Sequence, residues 1–126
     1  MTGRILIVED TPLNLELASD ILEAAGFTVL QATSAEAGLE LARQDRPDLI
    51  LMDIRLPGMD GHAAVRELRD DPATRRIPVV ALTAQAMKGD GDAALAAGFD
   101  GYLTKPIDTR TFARSVEQFL ATGVDR

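Results

Sequence analysis

The sequence predicts one α/β domain, a doubly wound parallel sheet of five strands, (βα)5, with helices on both faces. Three observations predict it. Four short apolar runs, with a fifth weaker one, read as strands. Amphipathic helical patterns alternate with them, and turn residues separate each strand from each helix. The length of 126 residues suits a single domain. Right-handed crossovers leave few topologies to consider.

The elements follow in order. Strand β1 is expected over Ile5–Val8, β3 over Asp48–Met52 and β4 over Ile77–Leu82. These three are nearly continuous in apolar residues, as parallel strands covered on both faces must be. Pro78 sits at the start of its run, where a missing N–H is tolerated. Thr28–Ala32 is the weaker β2, and Phe99–Leu103 is β5. Helix α1 is expected over Pro12–Ala25, capped by Thr11, with Leu13, Leu17 and Ile21 on one stripe and Ala18, Leu22 and Ala25 beside it. Pro12 suits the first helical position and Gly26 the left-handed stop. Helix α2 spans Ser34–Gln44, capped by Ser34 and stopped before Pro47. Helix α3 spans Gly61–Arg69, with Ala64, Val65 and Leu68 inward, and α4 spans Gln85–Ala97, ended by Gly98. Helix α5 spans Asp108–Leu120, with Phe112, Val116, Phe119 and Leu120 on one face. Residues 1–126 are therefore expected to form one domain, and the tail from Ala121 is too short for a second.

Composition removes several classes of function. Apolar residues make up 46% and charged residues 26%, so the chain can bury a core. There is no cysteine, which excludes disulfides, thiolate metal sites and cysteine nucleophiles. The single histidine, His62, excludes multi-histidine metal sites and argues against a histidine-based triad. The longest apolar run, Ala93–Ala97, is far too short to span a membrane, and the N-terminus has no secretory apolar region. A cytoplasmic location is expected. A net charge of −7 argues against direct nucleic-acid binding, which ordinarily uses a basic face.

Ligands of parallel α/β sheets bind at the carboxyl ends of the strands. Glu9 and Asp10 follow β1, Asp53 ends β3, Thr83 follows β4, and Lys105 follows β5. Three acids, a hydroxyl and an amine thus converge on one rim. Taken singly, each has an ordinary explanation as a helix cap, a solvated charge or a turn residue; it is their convergence that is informative. Three gathered carboxylates repel one another, and a divalent cation relieves the repulsion. An all-oxygen donor set favours Mg²⁺, with Mn²⁺ or Ca²⁺ as substitutes. Metal and lysine together suit phosphoryl transfer, and Asp53 is placed as a carboxylate nucleophile. His62 reads as an exposed or satisfied helix residue, and Met52, Met59 and Met87 read as packing.

Four segments carry a resemblance: Val8-Glu9-Asp10, the run Leu51-Met52-Asp53-Ile54-Arg55-Leu56-Pro57-Gly58-Met59-Asp60-Gly61, Ala81-Leu82-Thr83-Ala84, and Lys105-Pro106-Ile107. In order and spacing they resemble the receiver domain of two-component response regulators. With Ala86-Met87-Lys88-Gly89-Asp90 and the single-domain layout, the chain is most similar to stand-alone receivers of the DivK type.

The resemblance implies a flavodoxin-like strand order, 2-1-3-4-5. It implies that Asp53 is the phosphoacceptor, and that Glu9, Asp10, Asp53 and the backbone carbonyl of Arg55 hold Mg²⁺, or Mn²⁺ in its place. Lys105 would contact the phosphoryl group, Thr83 would be the switch hydroxyl and Tyr102 the switch aromatic. The donor would be a phosphohistidine on a histidine kinase or a histidine phosphotransfer protein. Arg55 and Gln85, two residues past Asp53 and Thr83, would flank the path of hydrolytic water. Output would pass to a downstream protein through the α4-β5-α5 surface, with α4 loosened by Gly89 and Gly91. No effector domain, membrane contact or turnover of an outside substrate is expected. The alternatives are a receiver cut from a larger hybrid kinase or regulator, an aspartate-nucleophile phosphatase of the haloacid dehalogenase kind, a flavin-binding module, and a receiver that docks partners without phosphorylation. The dehalogenase kind wants an acid where Arg55 stands. A flavin site wants a phosphate-cradling loop where Glu9-Asp10 stands.

Overall fold

A computed structural model describes residues 3–83, 96–104 and 107–122, with only the backbone of Thr122. The strands are β1 Arg4–Val8, β2 Thr28–Ala32, β3 Leu49–Asp53, β4 Val79–Thr83 and β5 Gly101–Thr104. All pairings are parallel, in the order β2-β1-β3-β4-β5. This is the flavodoxin-like order that the resemblance implies. The helices are α1 Pro12–Ala24, α2 Ala35–Asp45, α3 Gly61–Asp70 and α5 Phe112–Thr122. Most of the expected α4 lies outside the described residues; Ala96 and Ala97, at its end, are helical.

The alternation of strand side chains splits the core in two. Ile5, Ile7, Leu49, Leu51, Val80 and Leu82 face α1 and α5. Leu6, Val8, Ile50, Met52, Val79 and Ala81 face α2 and α3. Residues of both sets in β1, β3 and β4 are almost fully buried, which is why these strands lack polar alternation. Met52 packs in this core and Met59 against it, while Met87 lies outside the described residues.

Helix α1 departs from expectation in two ways. Its buried residues are Leu15, Ala18, Ser19 and Leu22, whereas Leu13 is 77% exposed and Leu17 39%. The spacing from Leu13 through Leu17 to Ile21 and the spacing from Leu15 through Ala18 to Leu22 are both helical, and the inward face is the one with small residues at its centre. Ser19 is tolerated there because its hydroxyl donates to the Leu15 carbonyl at 2.7 Å and accepts from Gln31 Nε2 at 2.7 Å. Thr11 occupies the N-cap position, but its side chain makes no capping bond. Its amide instead donates to Glu9 Oε1 at 3.2 Å, so the helix start is tied to the rim. At the other end Gly26 adopts φ 104°, and the Phe27 amide reaches back to the Leu22 carbonyl at 3.0 Å. The remaining caps follow expectation: Ser34 caps α2, and α2 stops with Arg46 left-handed before Pro47.

The amino end of the sheet is closed by Arg69 of α3. Its guanidinium donates to the carbonyls of Gly98, Arg75 and Ile77 and pairs with Asp100 at 2.8 Å. Asp100 Oδ2 also accepts from the Val79 amide at 2.7 Å. The pair is mostly buried, and its hydrogen bonds offset the desolvation that burial imposes. The turn into β5 is thereby fixed to α3 and β4 at the end remote from the rim.

The inward face of α1 makes a direct prediction. Leu15→Ala should cost about 2–4 kcal/mol in urea unfolding. Leu13→Ala should cost under about 0.5 kcal/mol. Equal losses would contradict this orientation.

Candidate functional site

Strand register assembles the rim. Val8 is level with Met52, so Glu9 and Asp53 are the next residues along neighbouring strands. Asp53 is level with Leu82, which sets Thr83 one residue further on. Asp10 follows Glu9 in the loop to α1. One carboxylate oxygen from each of Glu9, Asp10 and Asp53 lies within 4.8 Å of the others. Glu9 is 1% exposed, Asp53 6% and Thr83 8%, while Asp10 opens to solvent.

Two backbone amides shape the cluster. The Arg55 amide donates to Asp53 Oδ1 at 2.9 Å, which restrains rotation of that carboxylate. The Thr11 amide does the same for Glu9. The Arg55 side chain is exposed at the rim. Between Asp53 and α3 runs the loop 54–60. It is anchored by buried Leu56 and by Asp60, which caps α3 by accepting from the Ala63 amide at 2.9 Å.

The donor set fits a hard divalent cation: three carboxylates, no sulfur, and oxygen atoms close enough to share one ion. Two of the three acids are nearly buried, and mutual repulsion there is costly without a counter-charge. Such a site can hold Mg²⁺ and place a carboxylate oxygen against an incoming electrophile.

Of the residues expected at the site, Glu9, Asp10, Asp53 and Thr83 are brought together and Arg55 borders them. Tyr102 lies on β5, beside Ala81 of β4, and is 43% exposed. Lys105, Pro106 and Gln85 lie outside the described residues, as do Gly89 and Gly91. His62 is half-buried, with its ring edge-on to Phe99 at 6.0 Å between centroids. Sequence reasoning did not foresee how closely Gly61 approaches the Asp53 backbone. The available signal was a glycine at the first position of a helix.

The comparisons with known proteins agree with this geometry. Residues 5–117 match the response regulator receiver domain family. The chain is 42% identical over 120 residues to the polar-differentiation response regulator DivK of Brucella ovis, covering 95% of this chain and 98% of that protein. A crystal structure of a putative response regulator from Chloroflexus aurantiacus superposes with a TM-score of 0.90 at 32% identity, over 96% of this chain and 99% of the other. The receiver domain of a Pseudomonas aeruginosa sensor histidine kinase, with a magnesium ion coordinated in its active-site cleft, gives 0.87 at 36% identity, over 96% and 99%. Strand order, acidic rim and sequence agree, and the chain belongs to the response regulator receiver domain family of two-component signalling, whose standard function is to accept a phosphoryl group.

Proposed function

We propose that Asp53 accepts the phosphoryl group, from a phosphohistidine of a sensor histidine kinase or a histidine phosphotransfer protein. The observation that carries this reading is the gathering of Glu9, Asp10 and Asp53 at the carboxyl end of β3, the middle strand of the sheet. Glu9, Asp10, Asp53 and the backbone carbonyl of Arg55 would hold Mg²⁺, with Mn²⁺ as a substitute. When bound, the ion supplies positive charge against the carboxylates and the phosphoryl oxygens.

The chain's own residues do the rest. An oxygen of Asp53 bonds to phosphorus as the donor's N–P bond breaks. The imidazole nitrogen leaves with the electron pair and takes up a proton when it is released. The product is a mixed anhydride on Asp53. The Arg55 amide, held on Asp53 Oδ1, keeps the nucleophile from rotating away. Lys105 would pair with the new anionic oxygens, and the Thr83 hydroxyl would donate to one of them. The group adds charge near −2 and three strong acceptors beside the end of β4. Movement of Thr83 toward it would free space for Tyr102, a half-exposed residue of β5 level with Ala81 of β4. The α4-β5-α5 surface would then present a different face to a downstream protein. In this reading residues 1–126 act as one cytoplasmic signalling domain, with no direct nucleic-acid or membrane contact. Its chemistry occurs once per phosphoryl group, on itself.

Two outcomes are expected. Incubated with Mg²⁺ and acetyl phosphate, or with a phosphorylated kinase domain, the protein should gain one phosphoryl unit by intact mass. The adduct should be removed by hydroxylamine and absent in Asp53→Asn; an equal gain in that variant would refute the assignment. On phosphorylation, amide hydrogen exchange should change across Gly101–Thr104, and Thr83→Ala should suppress that change while still taking the phosphoryl group. Exchange in β5 that ignores phosphorylation would exclude the proposed switch.

A further inference from the structure

Gly61 opens α3 directly after the loop that leads from Asp53. Its φ is not in the left-handed region, so no special backbone conformation calls for glycine. Glycine is also a poor helix former, about 1 kcal/mol worse than alanine in a helix interior. What distinguishes the position is space. A Cβ placed there would lie 2.7 Å from the Asp53 carbonyl oxygen, 2.9 Å from Ile54 Cα and 3.4 Å from the Asp53 carbonyl carbon. All three are main-chain atoms of the strand end that carries the central carboxylate. No side-chain rotation relieves the overlap; either the strand end or the first turn of α3 has to move.

The surrounding bonds show what that movement would disturb. The Gly61 amide donates to the Ile54 carbonyl at 2.9 Å, and the Ile54 amide donates to Leu82 of β4 at 3.2 Å. The next amide, that of Arg55, holds Asp53 Oδ1. The Asp53–Arg55 backbone is thus caught between β4 and α3, and the bare Cα of Gly61 sets how far it sits from the helix. Gly101 is also crowded, but there a Cβ would meet the ring of Phe119, a side chain that can turn, at the opposite end of the sheet.

We propose that Gly61 is a positioning residue of the carboxylate site. By letting the first turn of α3 rest on the Asp53–Ile54 backbone, it fixes the Asp53 carboxylate against Glu9 and Asp10. The proposal rests on the reading of this cluster as the Mg²⁺ and phosphoryl site. It gives Gly61 a role beyond packing, because coupling is reciprocal: if the Gly61 contact sets the metal site, metal binding must in turn tighten the Gly61 contact.

The test has two arms. In the first, Gly61→Ala is compared with wild type and with Gly101→Ala for Mg²⁺ affinity by titration calorimetry, for phosphorylation rate and for melting temperature. Gly61→Ala should weaken Mg²⁺ binding by about tenfold or more, as loss of a group that orients metal ligands does. Gly101→Ala should lower the melting temperature while keeping wild-type Mg²⁺ affinity. In the second arm, wild-type protein is titrated with Mg²⁺, and exchange of the Gly61 amide should slow as the ion binds. Wild-type affinity in Gly61→Ala, an equal loss in Gly101→Ala, or a Gly61 amide indifferent to Mg²⁺ would each overturn the positioning role. Should Gly61→Ala fail to fold, the exchange arm decides alone. Wild-type protein that neither binds Mg²⁺ nor takes a phosphoryl group would instead contradict the underlying reading of the site.

Discussion

Like charges held close together are the constraint on which the rest of this molecule depends. Three carboxylates from two strand ends share a space in which their oxygens come within 4.8 Å, and two of the three are nearly buried. Solvent cannot screen such a group well, and loose side chains would simply move apart. The arrangement therefore needs rigid support and a counter-charge. Support comes from β1 and β3, whose residues ahead of the acids are packed on both faces, and from the amides of Thr11 and Arg55, which each hold one acid. The counter-charge is what a divalent cation supplies.

The two ends of the sheet are built differently. At the amino end, Arg69 ties α3, the segment before β4 and the turn into β5 into one network of hydrogen bonds. At the carboxyl end, Asp53 and Thr83 close their strands and Glu9 and Asp10 stand in the loop that follows β1. In the proposed switch, the remote end would hold register while the rim responds to the added group.

Much of this was legible in the sequence. The strands declared themselves because burial on both faces leaves a continuous apolar run, and the rim followed because parallel strands deliver their ends to one side. The face of α1 was misread because Leu13 and Leu17 are larger than Ala18 and Ser19, while the sheet accepts the smaller pair. Hydrogen bonding to Leu15 and Gln31 makes the buried serine acceptable, and that partnership has no local sequence signal. The Arg69–Asp100 pair was equally hidden, since its members stand 31 residues apart and each resembles an ordinary surface charge. Thr11 has a capping residue's chemistry, yet its amide is drawn to Glu9. The needs of the rim prevail there over those of the helix.

The most direct measurement of the central claim is anomalous scattering from crystals of this protein grown or soaked with Mn²⁺. The account predicts one strong peak among Glu9, Asp10 and Asp53, in direct coordination contact with at least two of their carboxylate oxygens. Crystals with full access to Mn²⁺ and no peak among these three side chains would contradict it.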